Sequence, residues 1–330
     1  METMAVHDQP WFEGRASRRH RAVPIWRLML KGYALRMQGR GIRASDTQTL
    51  VQFLGFPRSG HSVVGALLDA HPDAIVAHEL DLMGLVSKGI PVRSALALAE
   101  DNSRRFADQG RFWNGYSYEL EGGSAGKARQ LRAIGDKKGD RALDALMDDP
   151  SLSRRLARET GLDLAWIVVV RNPFDNIATM ELRRGRTYDR LRVAHGEGDR
   201  FERELRKTQG KQIGQEVNVD TVDSYARRLD GLAKVMQRLE AEGSSVIVVH
   251  HDALSSSPQA GLAQIADRLG LEADPAWLEG ASRMVRPASR SREKVRWGDG
   301  LLERVGTMIE TSELLAPYAA REAAVCNSIL

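Results

Sequence analysis

Short, mostly apolar runs alternate along this chain with longer segments in which apolar residues recur every three or four positions. The runs are "LVQFL" (50–54), "AIVA" (74–77), "LRAI" (131–134), "AWIVVV" (165–170) and "SVIVV" (245–249). Such runs suit strands covered on both faces. Their alternation with helical patterns predicts an α/β chain with a central, mainly parallel sheet flanked by helices. No internal repeat or low-complexity tract interrupts the order. Open sheets of this kind bind ligands at the carboxyl ends of their strands. The residues directly after each run are therefore where chemistry is expected.

After the first run comes "GFPRSGHS" (55–62), followed by Val63, Val64, Leu67 and Leu68 at helical spacing. Pro57 through Gly60 thus join a strand to a helix N-terminus, where free N–H groups and the positive end of the helix dipole favour an anion. Against the nucleotide-loop pattern G-x-x-x-x-G-K-[ST], every fixed position agrees except the lysine, which is His61 here. Ser62 keeps the hydroxyl. A neutral imidazole at 61 can donate one hydrogen bond to a ligand, or it can face solvent from the first helical turn; ligand contact is the expectation.

After the fourth run comes "RNPFDNIATM" (171–180). Asn172 and Pro173 make an N-cap and first-turn pair, so a second helix begins there. Arg171 stands beside that N-terminus with a guanidinium that cannot lose its charge and forks onto phosphate oxygens. A local carboxylate such as Asp175 is the alternative partner, and the sequence leaves both open. Residues 183–222, from "RRGRTYDR" to "KTQGKQIGQE", are charged and lack a strong core signal. They read equally as a lid or acceptor-binding insertion and as a solvated helix pair.

Composition adds limits. The 330 residues are 42% hydrophobic and 28% charged, ordinary for a globular protein, with a net charge of +4. That charge points to an anionic ligand but is too small and too evenly spread to indicate nucleic acid. Cys326 is the single cysteine, which leaves no intrachain disulfide and no cysteine-rich zinc site. No run approaches the roughly 18 apolar residues of a spanning helix, and the N-terminus lacks a secretory pattern, so a cytoplasmic location is expected. The N-terminal arm, residues 1–45, is basic and amphipathic in "RASRRHRAVPIWRLMLKGYALRMQGRGIR" (15–43). Its apolar side either packs on the protein body or makes peripheral contact with a membrane.

The two loops, "PRSG" (57–60) and "RNPFDNIAT" (171–179), together resemble the sulfotransferase superfamily, most nearly its bacterial and tyrosylprotein branches. Those enzymes move a sulfuryl group from 3′-phosphoadenosine 5′-phosphosulfate (PAPS) to an acceptor. Further segments are similar in the same order: "LLDAHPDAIVAHE" (67–79), "IGDKKGD" (134–140), "VIVVHHDALSSSPQAGLAQIADRLGL" (246–271) and "SRSREKVRW" (289–297). The likeness spans residues 50–297, about three quarters of the chain. It implies a P-loop-like three-layer fold, with a catalytic domain over 46–300 and a C-terminal helical segment over 301–330.

The resemblance also implies roles. Pro57, Arg58, Ser59, Gly60, His61 and Ser62 would bind the 5′-phosphosulfate, while Arg171 and Thr179 would bind the 3′-phosphate. Glu79 would be the base that deprotonates the acceptor, with burial expected to raise its pKa. His78 competes for that role, but neighbours on an extended segment point opposite ways, so only one faces the ligand. Lys137 would stabilise the bridging oxygen as sulfur departs, Lys138 pointing elsewhere, and Arg58 would share that work. His251 stands where family members carry a tyrosine against the adenine. Arg290, Arg292 and Lys294 would close over the 3′-phosphate, with Trp297 either there or in the core. A transferring sulfuryl group carries less charge than a phosphoryl group, so neither a loop lysine nor a metal is expected. The acceptor would be a hydroxyl-bearing small molecule, carbohydrate or peptide, or an amine. Phe112, Trp113, Tyr116 and Tyr118 in "RFWNGYSYEL" (111–120) are candidates for its binding face or for the core. An atypical P-loop kinase and a non-catalytic anion-binding protein are the alternative readings.

Overall fold

A computed structural model describes residues 23–43, 46–120, 123, 128–196, 199–208, 211 and 214–319. Five parallel strands form the central sheet: β1 (Thr49–Gly55), β2 (Ala74–Ala77), β3 (Ala133–Asp136), β4 (Asp163–Val170) and β5 (Ser245–His250). Their order is β2-β3-β1-β4-β5. Four predicted runs become strands with at most small changes at their ends. The 131–134 run is displaced, because the strand begins at Ala133 and continues through Gly135 and Asp136. Gly135 lies so close to the Val51 carbonyl that no side chain fits there. The Asp136 carboxylate accepts hydrogen bonds from the backbone N–H groups of Leu80 and Leu82 at 3.2 and 2.9 Å.

Side chains alternate across the sheet as the pleat requires. Val51, Phe53, Ile167 and Val169 point to one face, where they meet Val64, Leu67 and Leu68 of α2 (His61–Asp69). Leu50, Leu54, Trp166 and Val168 point to the other. There they meet α3 (Val92–Asp108), α4 (Gly139–Asp148), α5 (Pro173–Arg184) and α6 (Val219–Ala241). The result is the three-layer α/β arrangement expected. The chain leaves β1 for α2 on one face and leaves the adjacent β4 for α5 on the other. This is a topological switch point, where a crevice opens at the strand ends.

The described part of the N-terminal arm packs one of its faces on the body of the protein. Helix α1 (Ile25–Met37) buries Leu28 and sits so close to α3 that a methyl group on Gly32 would lie 2.8 Å from the Ser94 carbonyl. Lys31 pairs with Asp101 at 2.5 Å, and Arg40 and Arg43 pair with the buried Glu100. At the other end, the helix Asp299–Thr311 contributes Val305 and Ile309 to the core, and the Tyr318 hydroxyl donates to the Val170 carbonyl at 3.0 Å. Residues 1–22 and 320–330, with Cys326, lie outside the described residues.

Within 183–222, helices run over Thr187–His195 and Asp199–Lys207, and Gln215–Glu216 pairs in parallel with Val295–Arg296. Tyr188, Phe201 and Val217 are buried here. Their spacing, single apolar residues among charges, hid them from periodicity. Among the described residues no helix is long and apolar enough to cross a membrane.

Candidate active site

The loop between β1 and α2 is bent into a shape that gathers backbone donors. Arg58 and Gly60 both have left-handed backbone, φ 69° and 112°. Among the described residues, nothing accepts from the N–H groups of residues 58–62. Such a turn at a helix N-terminus is an anion-binding concavity. Gly60 also has no room for a side chain, since a Cβ would stand 2.5 Å from the His251 ring. His251 therefore borders this loop, at the edge where the sequence had placed it. The Arg58 guanidinium lies over the Tyr188 ring at 5.4 Å. Arg58 Nε and Ser59 Oγ are buried without a hydrogen-bond partner.

His61 departs from both sequence expectations. Its ring turns inward, with Nε2 3.0 Å from the Leu54 carbonyl and an edge against Phe53. Burial lowers its pKa to about 4, so it sits neutral beneath the loop. It braces the cradle, and only its backbone N–H faces the ligand side.

The second loop brings Arg171 to the same crevice. Asn172 caps α5 by accepting from the Phe174 N–H at 3.0 Å. Arg171 is 6% exposed and donates to Thr179 Oγ1 at 2.9 Å, to the Ser289 carbonyl and hydroxyl at 2.9 Å each, and to Ser291 Oγ at 3.2 Å. Thr179 thus lies against Arg171 as the motif implied. All these acceptors are neutral, and Arg171 Nε is buried with no partner. Lys294, 3% exposed, stands near it; burial, with Arg171 adding, holds its pKa below the usual lysine range.

Asp175, the alternative partner for Arg171, is taken by Arg292, which pairs with it at 2.8 Å and lies over Phe174 at 5.7 Å. Arg292 is therefore committed to holding its own loop on α5 rather than free to close over a ligand. Arg290 is exposed at the rim, 3.6 Å from Glu293. Trp297 packs edge-on to Phe174, an anchor of the core.

Two neighbouring strand ends supply the remaining groups. Glu79 follows β2 with φ 59°, and Asp136 holds the turn after it through the Leu80 and Leu82 amides. Glu79 pairs with both Lys137 and Lys138. Lys138 thus turns toward the site, contrary to expectation. The expected rise in the Glu79 pKa is also reversed. Burial pushes upward, but Lys137 and Lys138 outweigh it and hold the carboxyl well below the usual range.

Lys137 is fully buried and donates to Ser62 Oγ at 2.7 Å as well as to Glu79. The Tyr118 side chain lies near Ser62. His78 faces away, stacked on Phe106 at 3.9 Å and edge-on to Trp113, with burial keeping it neutral. The two neighbours point to different surroundings, although Glu79, at φ 59°, is not extended as the pleat argument assumed.

Several contributors escaped the sequence reading: Asp136, Gly65, Asn176, Ser289 and Ser291. Asp136 and the two serines lay inside quoted segments, and their signal was position at a strand end or beside a basic cluster. Gly65 and Asn176 look like ordinary helical residues, and only the fold reveals what they touch.

No protein-family profile and no curated protein matches the chain. Among solved structures it is similar to a sulfotransferase from Alicyclobacillus acidocaldarius, at 16% identity and TM-score 0.40, covering 83% of this chain and 94% of that one. It is similar to sulfotransferase STF9 from Mycobacterium avium at 11% identity and TM-score 0.44, covering 88% and 84%. It is also similar to mouse sulfotransferase SULT7A1 complexed with PAP, at 12% identity and TM-score 0.36, covering 89% and 94%. Likenesses this loose carry no residue role or ligand across.

Proposed function

We propose that this chain is a PAPS-dependent sulfotransferase acting on a hydroxyl or amine acceptor. One observation carries the reading. Arg58, Arg171 and Lys294 gather at the β1–β4 crevice, and none has a carboxylate within 4 Å among the described residues. Arg171 and Lys294 are buried and Arg58 is partly so; buried charge without a counter-charge costs several kcal/mol, so such a site favours a ligand that brings negative charge at more than one point. PAPS does so, with a phosphosulfate at one end and a 3′-phosphate at the other.

The residues fit that donor. The N–H groups of 58–62, with Arg58 Nε and Ser59 Oγ, would hold the 5′-phosphosulfate. Arg171 and Lys294, with Thr179 beside them, would hold the 3′-phosphate. His251 would border the adenylate, and exposed Arg290 would close from the rim.

When bound, the donor supplies a sulfuryl group on a phosphate leaving group. Glu79, ionised, takes the acceptor proton as the new O–S or N–S bond forms in line. Lys137, held between Ser62 and Glu79, would stabilise the bridging oxygen as its bond to sulfur breaks, and that oxygen would stay with 3′-phosphoadenosine 5′-phosphate (PAP). Drawn toward the donor, Lys137 leaves Glu79 one cation poorer and a stronger base. Cationic stabilisation of this kind is often the largest single contribution to catalysis. With Lys137, Lys138 and Arg58 present, the reading needs no metal. Tyr118 lies near Ser62 and packs in one cluster with Trp113 and Tyr116, and these rings would offer flat faces to a small-molecule, carbohydrate or peptide acceptor.

The test is transfer of label from sulfur-35 PAPS to a panel of phenols, sugars and tyrosyl peptides. Label on an acceptor supports the reading. Transfer of γ-phosphate from magnesium ATP instead would select the kinase alternative.

A further inference from the structure

Helix α1 uses one face to pack on α3 and leaves another unpartnered. Trp26, Met29, Leu30, Tyr33 and Met37 are exposed on it, half of the ten large apolar side chains exposed among the described residues. At about 100° per residue, Trp26, Leu30, Tyr33 and Met37 fall within an arc of about 60°, and Met29 widens it to about 100°. Exposed Arg27 and Arg36 flank the arc on either side. The helix has no acidic residue, and neither does "RASRRHRAVP" (15–24), which leads into it with four arginines. The nearest carboxylates, Glu100 and Asp101 of α3, are consumed by Lys31, Arg40, Arg43, Arg104 and Arg105.

We propose that this face of α1 docks the protein on an anionic lipid surface. Aromatic and aliphatic side chains would enter the headgroup boundary, with Arg27 and Arg36 contacting lipid phosphates. Apolar insertion and basic attraction are the two signals that together give stable interfacial binding. A folded partner fits less well. The 13-residue helix offers a convex stripe about 20 Å long and about 10 Å wide, well short of the ~800 Å² that a stable protein interface takes from each side. A bilayer needs no matching shape.

The experiment is co-sedimentation of the full chain with vesicles of phosphatidylcholine alone, or of phosphatidylcholine with one third phosphatidylglycerol. Binding is expected to the anionic vesicles and to weaken as salt rises. The double variant W26Q/L30Q and the charge variant R27E/R36E should each reduce binding at least tenfold while leaving the melting temperature within a few degrees. Absence of binding to anionic vesicles, or binding that survives both variants, overturns the proposal. A wild-type dimer in light scattering that W26Q/L30Q dissociates would also overturn it, assigning the face to a second copy. All three outcomes are independent of the sulfotransferase reading, since none requires turnover.

Discussion

Asn176 Nδ2 donates to the Pro57 carbonyl at 2.8 Å, so the helix after β4 directly holds the loop after β1. Arg171 reaches the same loop, 3.4 Å from the Arg58 carbonyl. The two loops proposed to hold the donor are therefore tied together at the switch point. A donor gripped at both ends depends on that fixed spacing.

Replacing Asn176 by Ala should loosen the spacing without removing any ligand contact. The lost hydrogen bond is worth about 1 kcal/mol, and the unpaired Pro57 carbonyl adds to the cost. PAP affinity should fall about fivefold or more while the affinity for AMP, which engages one cradle, changes less. Calorimetric titration of both nucleotides reads the difference.

Gly65 sets intrinsic propensity against packing. In an exposed helix, Gly→Ala would gain about 1 kcal/mol. Here the new methyl would stand 2.7 Å from Lys137 Cβ, the stiff root of that side chain, which cannot swing aside. Packing wins, so G65A should lower both the melting temperature and kcat. A variant more stable than wild type with full turnover would show that the Lys137 stem does not lie where described.

Glu79→Gln should bind PAP about as well as wild type and lose about 10²-fold or more in turnover. Because Lys137 and Lys138 hold the Glu79 pKa well below the usual carboxylate range, the base form persists throughout neutral and mildly acid pH. Its protonation should therefore produce no acid limb in kcat/KM between about pH 5 and 8. A limb in that window that disappears in E79Q contradicts the assignment.

His61 makes stability depend on pH. Its pKa is about 4 when folded and 6.5 as a free side chain. The stability it contributes is complete above pH 6.5 and is lost as pH falls from 6.5 toward 4, by up to about 3 kcal/mol. Asp136, pushed by burial up to about 7, acts oppositely, its share being lost as pH rises from about 4 to 7. The readout is therefore the difference between wild type and H61Q in urea unfolding. That difference should shrink by about 3 kcal/mol between pH 7.5 and 4. A constant difference would mean that the ring is not buried.

The sheet was legible because fully buried parallel strands are nearly continuous apolar runs, and the two loops because each follows such a run and leads into a helix, the second of them capped by Asn172. Contacts made across the fold were less legible. The inward turn of His61 depends on the Leu54 carbonyl beneath it and on Gly139, against which the ring packs. The depressed Glu79 pKa depends on two lysines from another strand end, of which the sequence reading had turned Lys138 elsewhere. The resemblance grouped Arg292 with Arg290 and Lys294, yet Asp175 of α5 pairs with it. Charge clusters show where an anion is wanted, and only the packing shows which members are already paired.

The most direct measurement of the central claim is calorimetric titration of wild type and R171A with PAP, using AMP as the control. The account predicts that wild type binds PAP far more tightly than AMP. R171A should lose about 1.5–3 kcal/mol of PAP affinity, roughly 10- to 150-fold, with little change for AMP. Equal affinity for the two nucleotides, or PAP binding unchanged by R171A, would contradict it.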